Sequence, residues 1–515
     1  MGRMVGVRWR KRVVPKYMYE RLSAQDNSFL VSESANVPLH VGGVGIYALG
    51  DLAGETGGVD IRKFKQALEA QLHRIPRYRE KLSYVPFEGR PVWVDDPHFN
   101  IDYHVRHAAL PKPGGIEELK KLTARITTRV LDRSRPLWEM WVIEGLSDDR
   151  FAIVNKIHHC MIDGTSGADV AQILMSPSPN QEIGEPRPFM PRPAPGATEL
   201  VLDAAARLFA APFDMLEGIS ALARQTADFS GELRARVGAI TDLVTSVVTP
   251  SSETPMNGAL SPHRRVDWLT LPLEDVKDVR RQLGCTVNDV VLATVTGAVR
   301  QYLIRRGVRL DEIDFRVSAP VSTRNDHERG RLGNRVSSWI IPLPVQEADP
   351  MAWIQSISDS TRACKDSRQA LGVELMMQAA EYLPAPVLAL GARAASGPIN
   401  MIVTNVPGPP FPLFILGARL LELHPLVPLL DGTGLGVALF SYDGNLHVGL
   451  NADDGLIPDL GSFTAFFAQS FMTLFDAAGV RREEEVEPEV REGSQGASLT
   501  AVTPLAAAGA GSRSA

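Results

Sequence analysis

Apolar positions recur along this chain in two rhythms, one helical and one alternating. Ile61, Phe64, Leu68 and Leu72 fall on one face of a predicted helix. The stretch "TVNDVVLATVTGAVRQYLIRR" at 286–306 predicts a second helix, with Asn288 near its start. "LGVALFSYDGNLHVGLNAD" at 435–453 predicts two strands around a turn at Asp443-Gly444. "FAIVNKIHH" at 151–159 predicts a strand, and the "CMIDGTSG" that follows supplies turn chemistry. Helical and strand patterns alternate in both halves, which predicts a mixed α/β (α+β) fold.

Where the patterning fails, the chain divides. "SPSPNQEIGEPRPFMPRPAPG" at 176–196 is too rich in proline for a helix or a central strand and predicts a linker. Residues 197–248 repeat Leu200, Leu208, Phe213, Leu216, Ile219 and Leu222 at roughly helical spacing and predict amphipathic helices. These either pack between domains or lie on a bilayer. A second break, "TPSSETPMNGALSPHRR" at 249–265, opens the C-terminal half. The expected organisation is a basic arm at 1–21, a domain at 22–175, a linker with helices at 176–265, a domain at 266–480, and a disordered tail at 481–515.

Composition adds exclusions. The net charge of −6 and pI near 6.0 give no general case for nucleic-acid binding. The arm is basic, with Arg3, Arg8, Arg10, Lys11, Arg12, Lys16 and Arg21, and is expected either to be a solvated terminus or to touch anionic lipid. Cys160, Cys285 and Cys364 are too scattered for a disulfide framework or a zinc site, which predicts a reducing cytosol and no metal. The arm has no apolar core followed by a small-residue cleavage site, so no secretory signal is expected. The charge-free run 394–418 has the length of a membrane span, but Pro398, Pro407, Pro409, Pro410 and Pro412 forbid a spanning helix. Beside it, Phe411, Leu413, Phe414, Ile415 and Leu416 form an apolar patch, read either as a peripheral membrane contact or as a buried loop.

The chemistry concentrates in "HHCMIDG" at 158–164. Neighbours on a strand point to opposite faces, so His158 and His159 cannot serve one site together, and one of them must face inward. Imidazole suits proton removal from a hydroxyl near neutral pH. Asp163 either orients that imidazole or pairs with an arginine elsewhere to lock the loop, and Gly164 permits a sharp turn. Cys160 reads as a small apolar filler, since nothing nearby in sequence would activate its thiol. There is no G-x-S-x-G elbow, Walker A loop, G-x-G-x-x-G after a strand, or H-E-x-x-H. Direct transfer without a covalent intermediate follows.

At these residues the chain resembles acyltransferases that carry H-H-x-x-x-D-G, and within them the bacterial wax ester synthase/diacylglycerol acyltransferases. The resemblance runs from Leu22 to about Ala478 through "LSAQDNSFLVSESANVPLHVGG", "RPVWVDDPHFNIDYHVRHAALPKPGG", "LDRSRPLWEMWVIEGL", "HHCMIDG", "VNDVVLATV", "PVSTRNDHERGRLGNRVS" and "IVTNVPGPPFPLFILGA". It implies two chloramphenicol-acetyltransferase-like domains around an active-site tunnel. It also implies transfer of a long-chain fatty acyl group from acyl-coenzyme A to diacylglycerol, giving triacylglycerol, and to long-chain alcohols, giving wax esters. No bound cofactor is implied.

Carried onto this chain, the resemblance makes His159 the general base, His158 its structural neighbour and Asp163 a structural acid paired with Arg324. Asn288 is then a candidate oxyanion donor, though as an N-cap it would equally satisfy free helix amides. Pro136, Leu137 and Trp138 are candidates for the acyl tunnel, with core packing as the alternative. Two other functions share the motif: a condensation or polyketide-associated transferase serving carrier-protein thioesters, and a non-catalytic coat of lipid inclusions. Acceptor preference, chain length and oligomeric state are not readable. The expected location is the cytoplasm, with peripheral contact to the inner membrane or to inclusions.

Overall fold

The computed structural model describes residues 19–55, 57–86, 89–161, 174–180, 184–206, 251–322, 336–366 and 399–480. The basic arm to residue 18, Asp163, Gly164, Arg324, residues 207–248 of the expected 197–248 helical region and the tail from 481 lie outside the described residues.

In chain order the first half builds α1 (Ala24–Ser32), β1 (His40–Ala48), α2 (Ile61–Gln71), β2 (Val105–Ala109), α3 (Ile116–Thr128), β3 (Trp138–Leu146) and β4 (Arg150–His158). The second half builds β5 (Arg264–Pro272), α4 (Leu273–Leu283), α5 (Val287–Arg305), β6 (Phe315–Ser322), β7 (Val336–Leu343) and α6 (Pro350–Asp366). It continues through β8 (Met401–Pro407), β9 (Phe414–Ile415), β10 (Ala418–Leu426), β11 (Leu435–Tyr442), β12 (Asn445–Asp453) and α7 (Leu460–Ala477).

Two six-stranded mixed sheets result, ordered β9-β10-β1-β4-β3-β2 and β7-β6-β8-β11-β12-β5. Each has its own core. In the first, Phe64 and Leu68 of α2 pack with Tyr47, Trp138, Phe151 and Ile153. In the second, α5 lies between α7, α6 and the sheet, and its buried residues run almost without a break from Asp289 to Val299. A helical stretch buried on every side belongs inside a core, and only the two ends of this helix reach solvent.

The second sheet does not hold all of the expected 266–480 domain. β9 and β10 lie outside it: β10 pairs antiparallel with β1 and β9 pairs antiparallel with β10, completing the first sheet. β10 then lies against β11 and β12, so one strand ties the two sheets together. Gly449 marks the tightest point: a Cβ there would stand 1.8 Å from the Pro425 carbonyl oxygen. Lys120 of α3 adds an ion pair across the seam, 2.6 Å from the Asp267 carboxylate on β5.

The patch at 411–416 is mostly core: Leu413, Ile415 and Leu416 are buried in the first cluster, and Phe411 is 46% exposed. The proline-rich 176–196 segment is irregular where described, and Arg192 fixes it by bonding the Asp95 and Glu80 carboxylates. The turn at Asp443-Gly444 has both residues at positive φ, 45° and 80°, as a two-residue hairpin requires. Among the described residues, no helix is long and apolar enough to cross a membrane.

Candidate active site

β4 delivers the two histidines to different surroundings. His158, the last strand residue, is paired in register with His40 of β1 and is fully buried. Its backbone N–H donates to the Leu137 carbonyl at 2.9 Å. Its Nδ1 accepts from the Cys160 N–H at 3.1 Å, so the neutral ring carries its proton on Nε2. His159 opens a single 3₁₀ turn, His159–Met161, and is only partly buried. Its N–H donates to the Leu39 carbonyl at 2.9 Å, and its ring stacks on Phe29 at 3.9 Å between centroids.

Behind the pair sits a carboxylate. Glu33 ends α1, where the chain turns extended, and its side chain is 4% exposed. One oxygen accepts from the Leu39 N–H at 3.2 Å and lies 3.2 Å from His40 Nε2 and 3.4 Å from His158 Nε2. The other oxygen accepts from Arg133 at 2.9 Å. Burial pushes the Glu33 carboxyl up, but the His158 and His40 imidazoles beside it outweigh that and hold the group well below the usual carboxylate range. Burial pushes the His40 imidazole down to about 4, against the opposing pull of Glu33.

Lys156 shares the inward face of β4, and its ammonium donates to the Arg129 carbonyl. Burial lowers it to about 8. Cys160 is buried beside Leu137 and Leu30, and burial pushes its thiol well above the ordinary value.

Pro136, Leu137 and Trp138 are all buried. Trp138 stacks on His104 at 4.5 Å and donates its indole N–H to the Tyr78 carbonyl at 2.9 Å. Leu137 packs under the histidine turn with Cys160 and partly buried Met161.

At the start of α5 the N-cap is Thr286, not Asn288. The Thr286 hydroxyl accepts from the Asp289 N–H, and the Asp289 carboxylate accepts from the Thr286 N–H at 2.8 Å, a reciprocal box. Asn288 is thereby released from capping. It is exposed, and its Oδ1 accepts from Asn405 Nδ2 of β8 at 2.7 Å. The two amides line a pocket together with Val291, Ala319, Trp339, Ile341 and Val403.

Glu33, His40, Arg133, Phe29 and Asn405 were not among the residues expected from sequence. Among the described residues, no group of His, Cys, Asp and Glu side chains is arranged to hold a metal ion.

Two sheets tied by a shared strand, with a histidine pair where β4 ends, define an acyltransferase of the two-lobed chloramphenicol-acetyltransferase type. The chain belongs to the wax ester synthase/diacylglycerol acyltransferase family. Residues 22–291 match that family's catalytic domain, and residues 332–474 match its C-terminal domain. It is 35% identical over 447 residues to the probable diacylglycerol O-acyltransferase tgs1 of Mycobacterium tuberculosis strain H37Rv, covering 85% of this chain and 92% of the relative. Among solved structures, the wax ester synthase/diacylglycerol acyltransferase of Marinobacter aquaeolei VT8 aligns with a TM-score of 0.61 and 25% identity. That alignment covers 89% of this chain and all of the other. The starter condensation domain of rhizomide synthetase, solved with C8-CoA and Leu-SNAC, shares the fold at 13% identity, with a TM-score of 0.55 over 90% and 95% of the two chains.

Proposed function

We propose that this protein transfers a long-chain fatty acyl group from acyl-coenzyme A to diacylglycerol, and also to long-chain alcohols, with His159 as general base. The observation that carries the reading is the placement of His159. The residue is partly exposed on a turn whose backbone is fixed on both sides, while its neighbour is fully buried. The relatives' named activity supports diacylglycerol as acceptor. The C8-CoA held by the condensation domain supports acyl-coenzyme A as donor.

In this reading His159 takes the proton from the acceptor hydroxyl as its oxygen attacks the thioester carbonyl. The C=O bond opens to an oxyanion, which the Asn288 amide stabilises. Collapse reforms the carbonyl, breaks the C–S bond and expels coenzyme A thiolate, which recovers the proton from the imidazolium. A thioester is already activated, so positioning, a base and oxyanion stabilisation suffice. Asp163 is proposed to pair with Arg324 and fix the loop beyond the turn. The acyl chain is proposed to lie in a channel between the lobes, and the protein to work peripherally at a lipid surface.

The test is incubation of purified protein with palmitoyl-coenzyme A and, separately, dioleoylglycerol or hexadecanol, following free thiol and lipid product, with His159→Ala as control. Triacylglycerol or wax ester from wild type alone supports the reading and ranks the acceptors. A folded protein that forms neither ester overturns it, in favour of a carrier-dependent transferase or a lipid coat.

A further inference from the structure

The carboxylate behind the histidines has more donors around it than a structural ion pair needs. We infer that Glu33 is a positioning residue for His159, acting through the backbone and through His158, and this rests on His159 being the base. Three connections carry it. Glu33 accepts from the Leu39 N–H, and the carbonyl of Leu39 holds the His159 N–H. The same carboxylate oxygen lies 3.4 Å from His158 Nε2, a charge contact and not a hydrogen bond, which favours the proton on this nitrogen while Nδ1 accepts from Cys160 N–H. The amides of residues 159 and 160 are thus both set from one carboxylate. Phe29, one turn before Glu33 on α1, supplies the wall against which the His159 ring lies. Glu33 therefore acts on His159 through these intervening groups.

The carboxylate is specifically required because every group around it is a donor. Leu39 N–H, His40 and His158 face one oxygen, and Arg133 faces the other. A glutamine of the same shape must place its NH₂ against one of these sets. If the NH₂ faces Arg133, two donors oppose each other. If it faces the histidines, His158 must move its proton to Nδ1 and release the Cys160 amide. Replacing Arg133 with an apolar side chain removes the first conflict and lets the amide oxygen accept from Leu39 and His158.

The experiment measures kcat and KM for palmitoyl-coenzyme A with dioleoylglycerol as acceptor, in Glu33→Gln, Glu33→Ala and Glu33→Gln with Arg133→Met. The two Glu33 single variants are also made in a His159→Ala background. We expect Glu33→Gln to fold and to lose about tenfold or more in kcat with KM within about twofold, the size of a small misplacement of the base. Adding Arg133→Met should restore most of that loss. In the His159→Ala background neither Glu33 change should lower the residual rate further. Wild-type kcat in both Glu33 variants, no rescue by Arg133→Met, or an equal loss in the His159→Ala background would each overturn the inference. If Glu33→Ala does not fold, the glutamine pair carries the test alone. A His159→Ala enzyme with full activity would instead remove the base assignment, and the inference with it.

Discussion

Phe29 lies flat on His159, with ring centroids 3.9 Å apart and planes 19° from parallel. A partly exposed imidazole on a short turn would otherwise sample several rotamers, and the stack selects one face. Phe29→Ala is therefore expected to lower kcat by about tenfold, with little change in KM for acyl-coenzyme A. Steady-state kinetics check it: a rise in KM alone would show that Phe29 serves binding and not ring placement.

The two histidines should separate cleanly in their variants. His159→Ala should cost about a hundred- to ten-thousand-fold in turnover, the usual range for a lost base, and leave the melting temperature near wild type. His158→Ala removes a fully buried ring that accepts the Cys160 amide, so it should lower the melting temperature by several degrees. Equal loss of activity with intact melting in both would contradict this division.

Cys160 adjoins the base but is sealed from it by chemistry. Burial leaves the thiol neutral at working pH, and a neutral thiol is a poor nucleophile. Cys160→Ala should keep turnover within about threefold, the cost being packing, not chemistry. Iodoacetamide applied to the native protein should leave its activity intact. Inactivation tracking a single alkylated Cys160 would revive an acyl-thioester intermediate.

Much of this was legible from local pattern. The strand ending at the histidines and the Asp443-Gly444 hairpin follow from period-two patterning and turn residues, which are short-range signals. Of the two readings of Asn288, the N-cap is ruled out, because Thr286, three residues before Asp289, closes the capping box. Glu33 was not legible, because its meaning comes from His40, Arg133 and His158, the last two far away along the chain. The same holds for β10: its apolar residues predict a strand, but only the free edge of β1 decides which sheet it joins.

Stability should depend on pH through three buried imidazoles. Burial pushes His40, His104 and His447 from their ordinary 6.5 down to about 4. Between those values the unfolded chain binds protons that the folded chain refuses, so stability falls as pH drops from 6.5 toward 4. Above 6.5 both states hold these rings neutral, and their contribution is constant. Each contributes up to about 1.4 kcal/mol per pH unit inside that window. Urea midpoints at pH 8 and 7 should agree, and those at pH 5.5 and 4.5 should fall steadily. A midpoint independent of pH down to 4.5 would show that the three rings are protonated in the folded state.

The junction between the sheets offers a test of whether their spacing matters to turnover. Gly449 of β12 faces the Pro425 carbonyl of β10, and a methyl group there would have to stand 1.8 Å from that oxygen. Both partners are backbone, so no side chain can rotate away, and β10 and β12 must separate. Gly449→Ala should therefore cost about 1–3 kcal/mol or more as an overpacked core does. Because β10 belongs to the first sheet and β12 to the second, the displacement should also shift one lobe against the other. If the acyl chain lies between the lobes, turnover should fall at temperatures where circular dichroism still reports a folded protein. Activity that declines only in step with unfolding would show that the seam carries stability alone.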